Sequence, residues 1–171
     1  MPLIQSPAEL EEFRKGILSK RDQKKPCITL CSGSACHATG SGEVAAGIEA
    51  ELKKQGLSEE VEIRRTGCHG FCERRPIIVI HPEETCYFQI TPEDVPDIVS
   101  ETIQGKKIVD RLVYTDPETK EQIVHESEIP FYKHQHRLVF GSNGSIDPKS
   151  IDDYLAIGGY SALAKSLSEM T

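Results

Sequence analysis

The sequence has no long hydrophobic run. Its 171 residues are 37% hydrophobic and 27% charged, and no segment approaches the roughly 18 consecutive apolar residues that a membrane-spanning helix needs. The first residues, MPLIQSPAELEEF, also lack the basic stretch followed by an apolar run that is typical of a secretory signal. These absences predict a cytoplasmic protein that does not insert directly into a membrane, in a compartment where thiols stay reduced.

The chain also has no excess of positive charge. Lys and Arg number 20 against 27 Asp and Glu, so the formal net charge is −7 at pH 7. The short basic clusters, at residues 21–25 and 73–75, are not interleaved with aromatic residues of the kind that stack on bases. The composition therefore predicts that no nucleic acid is among the partners.

Several catalytic and nucleotide-binding motifs are missing. The sequence contains no Gly-rich phosphate loop, so this chain alone is expected to bind neither FMN nor NADH. It contains no serine elbow and no HExxH helix, which argues against nucleophilic catalysis and zinc-dependent hydrolysis. It has no C-x-x-C dithiol, which disfavours a disulfide-exchange enzyme. No complete catalytic centre is predicted.

Cysteines are the informative residues that are present. Four of the six form two closely spaced pairs, Cys31-SGSA-Cys36 and, after about thirty residues, Cys68-HGF-Cys72. In a reducing compartment, paired cysteines are more often metal ligands or redox centres than disulfides. Two pairs on separate loops suit a [2Fe-2S] cluster, in which each iron takes two protein thiolates. A zinc site uses the same residue type, although its cysteines are more often two residues apart.

The other cysteines and two histidines need separate interpretations. Cys27 lies in a predicted strand and Cys86 begins another, so both are expected to be buried structural thiols. His37 and His69 directly follow Cys36 and Cys68, a spacing that does not fit a Rieske centre, so they are expected to be loop residues near the site. Glycines beside the ligands are expected to let backbone N–H groups approach sulfur; they are Gly33, Gly67 and Gly70.

Sequence patterns predict the order of the elements. A capping box at Ser6 and apolar residues at helical spacing predict a helix over 6–22. Two short β-rich runs, 27–31 and 61–66, predict strands that each lead directly into a cysteine pair. If these strands are parallel neighbours, their C-terminal ends lie side by side and the four thiols converge. The other predicted elements are a helix from Val44 to near Gly56, a hairpin of 77–80 and 86–90, and a helix from Thr91 to Gly105.

The C-terminal part is predicted to be a hairpin followed by helices. RLVY and QIVH flank the turn-like TDPETKE, and His134 and His136 are expected on the solvent side of an extended stretch. A helix is predicted from Asp147, with Pro148 at its first position, and another from Tyr160 to Leu167. Apolar residues of these helices are expected to need a partner surface: Leu155, Tyr160, Leu163 and Leu167.

CSGSAC, TGCHGFCE, PIIVI and TPEDVPDIV, within residues 27–105, resemble the thioredoxin-like [2Fe-2S] ferredoxins. The resemblance is to the version at the N-terminus of NADH- and flavin-binding subunits of NAD-linked hydrogenases, formate dehydrogenases and complex I-like oxidoreductases. It implies an α/β fold: a thioredoxin-like ferredoxin domain with an N-terminal helix and a C-terminal hairpin-plus-helices extension. It also implies that one [2Fe-2S] cluster is held by Cys31, Cys36, Cys68 and Cys72.

The segment Ile129 to Leu167 resembles the stretch that leads into the flavin-binding domain of those subunits. The resemblance implies an N-terminal helix at 1–26, the ferredoxin domain at 27–105, and a linker with the start of a truncated flavin/NADH-binding region at 106–171. FMN and NADH would then bind only in the missing or partner domain. The implied partners are this domain and other subunits of an NADH-linked oxidoreductase complex.

We therefore expect one-electron transfer through a [2Fe-2S] cluster within an NADH-linked multisubunit oxidoreductase of the hydrogenase, formate dehydrogenase or NADH dehydrogenase type. The alternative is a zinc-bound or metal-free structural module that serves in the assembly of such a complex.

Overall fold

A computed structural model describes residues 3–22 and 24–170. Residue 23, within the basic cluster 21–25, and residues 1 and 2 of the predicted N-terminal segment lie outside the described residues. In the described part of the chain, no helix is both long and apolar enough to cross a membrane. The helices are α1 (Pro7–Ser19), α2 (Ser34–His37), α3 (Ser41–Lys54), α4 (Val95–Asp97), α5 (Pro130–Lys133), α6 (Ile151–Ala156) and α7 (Ser161–Glu169).

The centre of the fold is a four-stranded sheet. Its strands are β1 (Cys27–Cys31), β2 (Glu62–Thr66), β3 (Ile77–His81) and β4 (Thr85–Phe88), in the order β2-β1-β3-β4. Strands β1 and β2 are parallel, whereas β3 runs antiparallel to both β1 and β4. The predicted parallel pair and the predicted hairpin are both confirmed, and Cys31 lies beside Thr66 where the parallel strands end.

Two apolar layers cover the two faces of this sheet. Ile28 and Leu30 of β1 point to the layer that contains α3 and the helical segment after residue 91. The alternate residue Cys31 points to the other face, as expected from the two-residue period of a strand. This second face packs against side chains from beyond the sheet, including Tyr114, Ile129 and Tyr132.

The segment after β4 is helical but irregular. A capping box formed by Thr91 and Asp94 opens it, at the residue where the predicted helix starts. The backbone then passes from a 3₁₀ turn (Pro92–Asp94) through α4 to π-type hydrogen bonding (Ile98–Gln104). The predicted helix from Thr91 to Gly105 is thus confirmed in extent, although not in regularity.

The C-terminal part differs from its prediction in two places. Strands β5 (Tyr114–Thr115) and β6 (Gln122–Ile123) form the predicted hairpin. The extended stretch around His134 and His136 is wrong, because α5 begins at Pro130 and both histidines are exposed residues that follow this short helix. The helix start at Asp147 is also wrong: α6 begins at Ile151, and the Ser150 hydroxyl accepts the Asp153 N–H as its N-cap.

Helix α1 packs against the C-terminal helices α6 and α7. It ends at Ser19, three residues before the predicted end at residue 22. Asp153 of α6 holds this region together, since its buried carboxylate accepts hydrogen bonds from Arg21 and from the Asp147 N–H. Arg64 of β2 lies 3.6 Å from the same carboxylate, so the edge strand is tied to the extension as well.

Replacing Asp153 by alanine is expected to lower the free energy of unfolding by about 2 kcal/mol, because the hydrogen bonds and ion pairs of a buried carboxylate are lost together. Urea denaturation at pH 7 measures the change. Asp152→Ala is the matched control: Asp152 is the exposed neighbour in the same helix, and its loss should change the stability by less than about 0.5 kcal/mol.

The contribution of Asp153 should disappear in acid. Burial raises the pKa of Asp153, but the hydrogen bond from the Asp147 N–H and the charges of Arg64 and Arg21 outweigh burial and hold it below its usual value. A carboxyl with a lowered folded-state pKa stabilises the fold fully above its unfolded-state pKa of about 3.9, and this is lost as the pH falls through the folded-state pKa. The stability difference between the wild type and Asp153→Ala should therefore shrink below about pH 4; a constant difference would contradict the assignment.

Candidate metal centre

Cys68 lies on the loop that follows β2, and Cys72 comes directly after this loop. Their Sγ atoms are 3.8 Å apart. Two sulfurs bound to one tetrahedral metal ion at about 2.3 Å are separated by about 3.8 Å, so this pair already has the spacing that a shared metal requires. The second predicted pair of ligands is brought together.

The first pair is more deeply buried. Cys31 ends β1, and Cys36 lies on the short helix α2 that follows it. Both thiols are almost fully buried. Burial raises the pKa of Cys31, and the neighbouring Cys36 thiol raises this pKa further. The folded chain therefore keeps these two sulfurs adjacent in an apolar setting.

The two pairs lie at the same end of the parallel strands, since Cys31 is beside Thr66. Cys68 acts electrostatically on the Cys31 thiol. The pKa of Cys72 is raised by its hydrogen bond with the Cys68 thiol and by burial, and the nearby Cys36 thiol raises it further. Within the described residues, however, no three Cys, His, Asp or Glu side chains gather closely enough to hold a single metal ion. Two separate pairs at the same end of the sheet suit a binuclear centre, with one pair for each metal.

Backbone N–H groups point at sulfur in each pair. The Ile77 N–H donates to Cys31 Sγ at 3.3 Å, and the Gly70 N–H donates to Cys68 Sγ at 3.3 Å. Gly70 has φ of +95°, a conformation that favours glycine, so the expectation for this residue is confirmed. Gly33 precedes α2 in open space and Gly67 lies against Asn143, and neither is among the described N–H donors to sulfur.

The two remaining cysteines lie inside the protein. Cys27 begins β1, at the opposite end from Cys31, and burial raises its pKa to about 11. Cys86 is fully buried on β4, and burial raises its pKa well above the usual value. Both environments are those of inert core thiols rather than of reactive thiolates.

His69 has a more elaborate environment than a loop position suggests. Its ring is almost fully buried; Nδ1 lies 2.8 Å from Glu126 Oε1, and Nε2 lies 3.2 Å from the Thr66 hydroxyl. His37, by contrast, is exposed on α2. Sequence reasoning missed Glu126, because 57 residues separate it from His69 and no local pattern connects them.

Two arginines follow Cys72. Arg75 Nη1 donates to the Cys72 carbonyl oxygen at 2.7 Å, and its charge acts to lower the pKa of the Cys72 thiol. The Arg74 guanidinium lies 5.7 Å from the centre of the Tyr114 ring. Positive charge is therefore fixed beside the exposed pair, where it would offset the charge of thiolates.

Comparisons with known proteins agree with this geometry. The family model "Thioredoxin-like [2Fe-2S] ferredoxin" matches residues 16–103, just over half of the chain. The chain is 38% identical over 77 residues to "Ferredoxin, 2Fe-2S" of Clostridium pasteurianum, covering 45% of this chain and 76% of the relative. It is 34% identical over 80 residues to "Ferredoxin, 2Fe-2S" of Aquifex aeolicus, covering 46% of this chain and 72% of the relative.

Among solved structures, a thioredoxin-like [2Fe-2S] ferredoxin from Aquifex aeolicus aligns with a TM-score of 0.50 at 26% identity, covering 58% of this chain and 99% of that one. A second structure, of the wild-type protein from the same organism, also has a TM-score of 0.50, at 27% identity, and covers 54% of this chain and 99% of that one. The predicted fold class is confirmed.

Gly70→Ala is expected to destabilise the metal-free protein by about 1–2 kcal/mol, because a Cβ is disfavoured at its positive φ. The same strain should displace the Gly70 N–H, which donates to Cys68 Sγ. Urea denaturation measures the loss. Gly33→Ala is the control, because Gly33 has φ of −67° and no atom within 4 Å of an added Cβ. Equal losses in the two variants would contradict the role of the Gly70 backbone.

Proposed function

Because the chain belongs to the thioredoxin-like [2Fe-2S] ferredoxin family, we propose that it transfers single electrons through one [2Fe-2S] cluster held by four cysteines. The proposed ligands are Cys31, Cys36, Cys68 and Cys72. The observation that carries the proposal is the pairing of these thiols at the ends of two parallel strands, with the Cys68 and Cys72 sulfurs 3.8 Å apart.

The donor set fits this cofactor. When bound, the cluster supplies a site that accepts and releases one electron without a proton or a bond rearrangement. Four thiolates make the site anionic, and the protein offsets this charge with hydrogen bonds to sulfur. The N–H groups of Ile77 and Gly70 provide two of them, and Arg75 adds a nearby positive charge.

The two sides of the site differ in their access to solvent. Cys31 and Cys36 are 1% and 3% exposed, whereas Cys68 and Cys72 are partly exposed. Electron transfer weakens steeply with distance, so a redox partner approaches closest from the side of Cys68 and Cys72. This side carries the ligand loop, which we define as residues 67–71.

We further propose that the electron partner is a flavin- and NADH-binding domain, as the resemblance of residues 129–167 implies. An exposed apolar tip supports this: Leu138, Val139 and Phe140 are 85%, 84% and 63% exposed. Three consecutive exposed apolar residues are typical of an interaction surface. The tip lies near the ligand loop, since Asn143 and Gly144 contact Gly67 and His69.

Helix α7 gives further support to a docking role for the extension. Leu163 and Leu167 are 52% and 79% exposed, whereas Leu155 of α6 is buried. Within the extension, Leu155 is therefore covered by this chain itself, whereas Leu163 and Leu167 remain exposed to solvent. FMN and NADH would bind in the partner domain, which belongs to an oxidoreductase complex with further subunits.

Anaerobically purified protein reduced with dithionite is expected to give a rhombic S = 1/2 EPR signal, with about two irons and two sulfides per chain. Cys31→Ala and Cys68→Ala should lose the signal, because each removes a proposed ligand. Cys27→Ala is the control and should retain it, since Cys27 lies at the other end of β1. A colourless protein with one zinc per chain would instead establish the structural alternative.

The proposed partner is tested by reduction with NADH. The cluster-loaded chain alone should stay oxidised in NADH, and it should be reduced once a recombinant flavin- and NADH-binding subunit of an NAD-linked hydrogenase is added. The triple variant Leu138→Ser, Val139→Ser, Phe140→Ser should slow this reduction at least about tenfold while dithionite still reduces it normally. Unchanged reduction by NADH in this variant would exclude the exposed tip as the docking surface.

A further inference from the structure

The ligand loop is held largely by residues beyond the matched ferredoxin domain. Phe71, the last residue of the loop, stacks on Phe131 of α5 with ring centroids 4.3 Å apart and planes at 10°. The Phe71 ring also lies about edge-on to Phe88 and Tyr132, with centroids 6.1 Å and 6.0 Å away. Since Phe71 directly precedes Cys72, this aromatic cluster fixes the backbone at a proposed ligand.

Arg137 holds the middle of the loop. Its Nη1 donates to the His69 carbonyl oxygen at 2.9 Å. The guanidinium also lies 4.7 Å from the centre of the Tyr132 ring, which restricts its own movement. A hydrogen bond with a charged donor is stronger than one between neutral groups, so Arg137 restrains this loop carbonyl firmly.

His69 is clamped between the sheet and the extension. Its Nδ1–H donates to the Glu126 carboxylate at 2.8 Å, and its Nε2 shares a hydrogen bond of 3.2 Å with the hydroxyl of Thr66, the last residue of β2. The His69 side chain is 1% exposed. The side chain next to Cys68 is therefore fixed from both sides.

Backbone packing is equally close. A Cβ on Gly67 would lie 3.2 Å from the Asn143 carbonyl oxygen, and a Cβ on Gly144 would lie 3.0 Å from the His69 ring. The extension thus contacts Gly67, His69, Gly70 and Phe71, which lie around both cysteines of the exposed pair.

We propose that residues 126–144, which we term the strap, are a positioning element of the metal centre: Glu126 and Arg137 fix the ligand loop and thereby the spacing of Cys68 and Cys72. The effect of the strap on a metal centre rests on the proposed function. The ordering of the ligand loop is a property of the chain even without a metal. Without these contacts both cysteines are still present, but the loop that connects them no longer holds a single conformation.

Two variants each weaken one of these restraints with little change of shape. Arg137→Met keeps the aliphatic stem but cannot donate to the His69 carbonyl. Glu126→Gln removes the charge that His69 meets. Each has a matched control in the strap, Lys133→Met and Glu128→Gln, because both control residues are exposed and undergo the same chemical change.

The first measurement is amide hydrogen exchange in the metal-free full chain, which needs no cluster. Arg137→Met and Glu126→Gln should each accelerate exchange in residues 67–71 about tenfold relative to β1, the factor that corresponds to about 1.4 kcal/mol. The two controls should change this ratio less than twofold. Equal acceleration in the ligand loop and β1 would mean a general loss of stability, and no acceleration in either would mean passive packing; either result overturns the proposal.

The second measurement uses the cluster-loaded chain. Arg137→Met and Glu126→Gln should retain the EPR signal, but with a wider spread of g-values and hence broader lines. They should also release iron to bathophenanthroline several-fold faster than the two controls. Unaltered g-values and release rates would overturn the positioning role even if exchange changed. If the wild type binds no cluster, the proposed function fails, whereas the exchange experiment still decides whether the strap orders the loop.

Discussion

The parallel pairing of β1 and β2 is the constraint on which the rest of the site depends. It places Cys31 beside Thr66, so the two cysteine-bearing segments leave the sheet at the same edge. Register matters as much as direction: a shift of one residue reverses every side chain on a strand. Cys31 would then point into the layer that now holds Ile28 and Leu30, away from the other thiols.

The burial of β1 on both faces explains why its sequence, CITLC, shows no alternation of polar and apolar residues. One face meets α3 and the helical segment after residue 91, and the other meets Tyr114, Ile129 and Tyr132. These three residues lie outside the part of the chain matched by the family model, which ends at residue 103. The extension is therefore a second layer of the fold, and α1 packs on it in turn.

Local signals were sufficient wherever a short stretch of sequence decides the structure. The helix start at Thr91, the strands before each cysteine pair and the β3–β4 hairpin were all predictable. Competing local signals misled at α6: Asp147 and Pro148 resemble a helix start, but the Asp147 N–H donates to Asp153, and Ser150 becomes the N-cap. Likewise, Pro130 begins a helix where an extended stretch was predicted.

The features of the site that sequence patterns did not predict depend on contacts between residues that are far apart in the chain. Cysteine spacing alone predicted two pairs, since the members of each pair are close in the chain. The restraints on the loop between Cys68 and Cys72 come from residues 57 and 68 positions after His69, and no periodicity links such positions. Arg137 directly precedes the exposed tip at 138–140, so a partner that docks there lies one residue from the side chain that holds the ligand loop. With the roles proposed for the tip and the strap, partner binding and ligand geometry would depend on the same short segment.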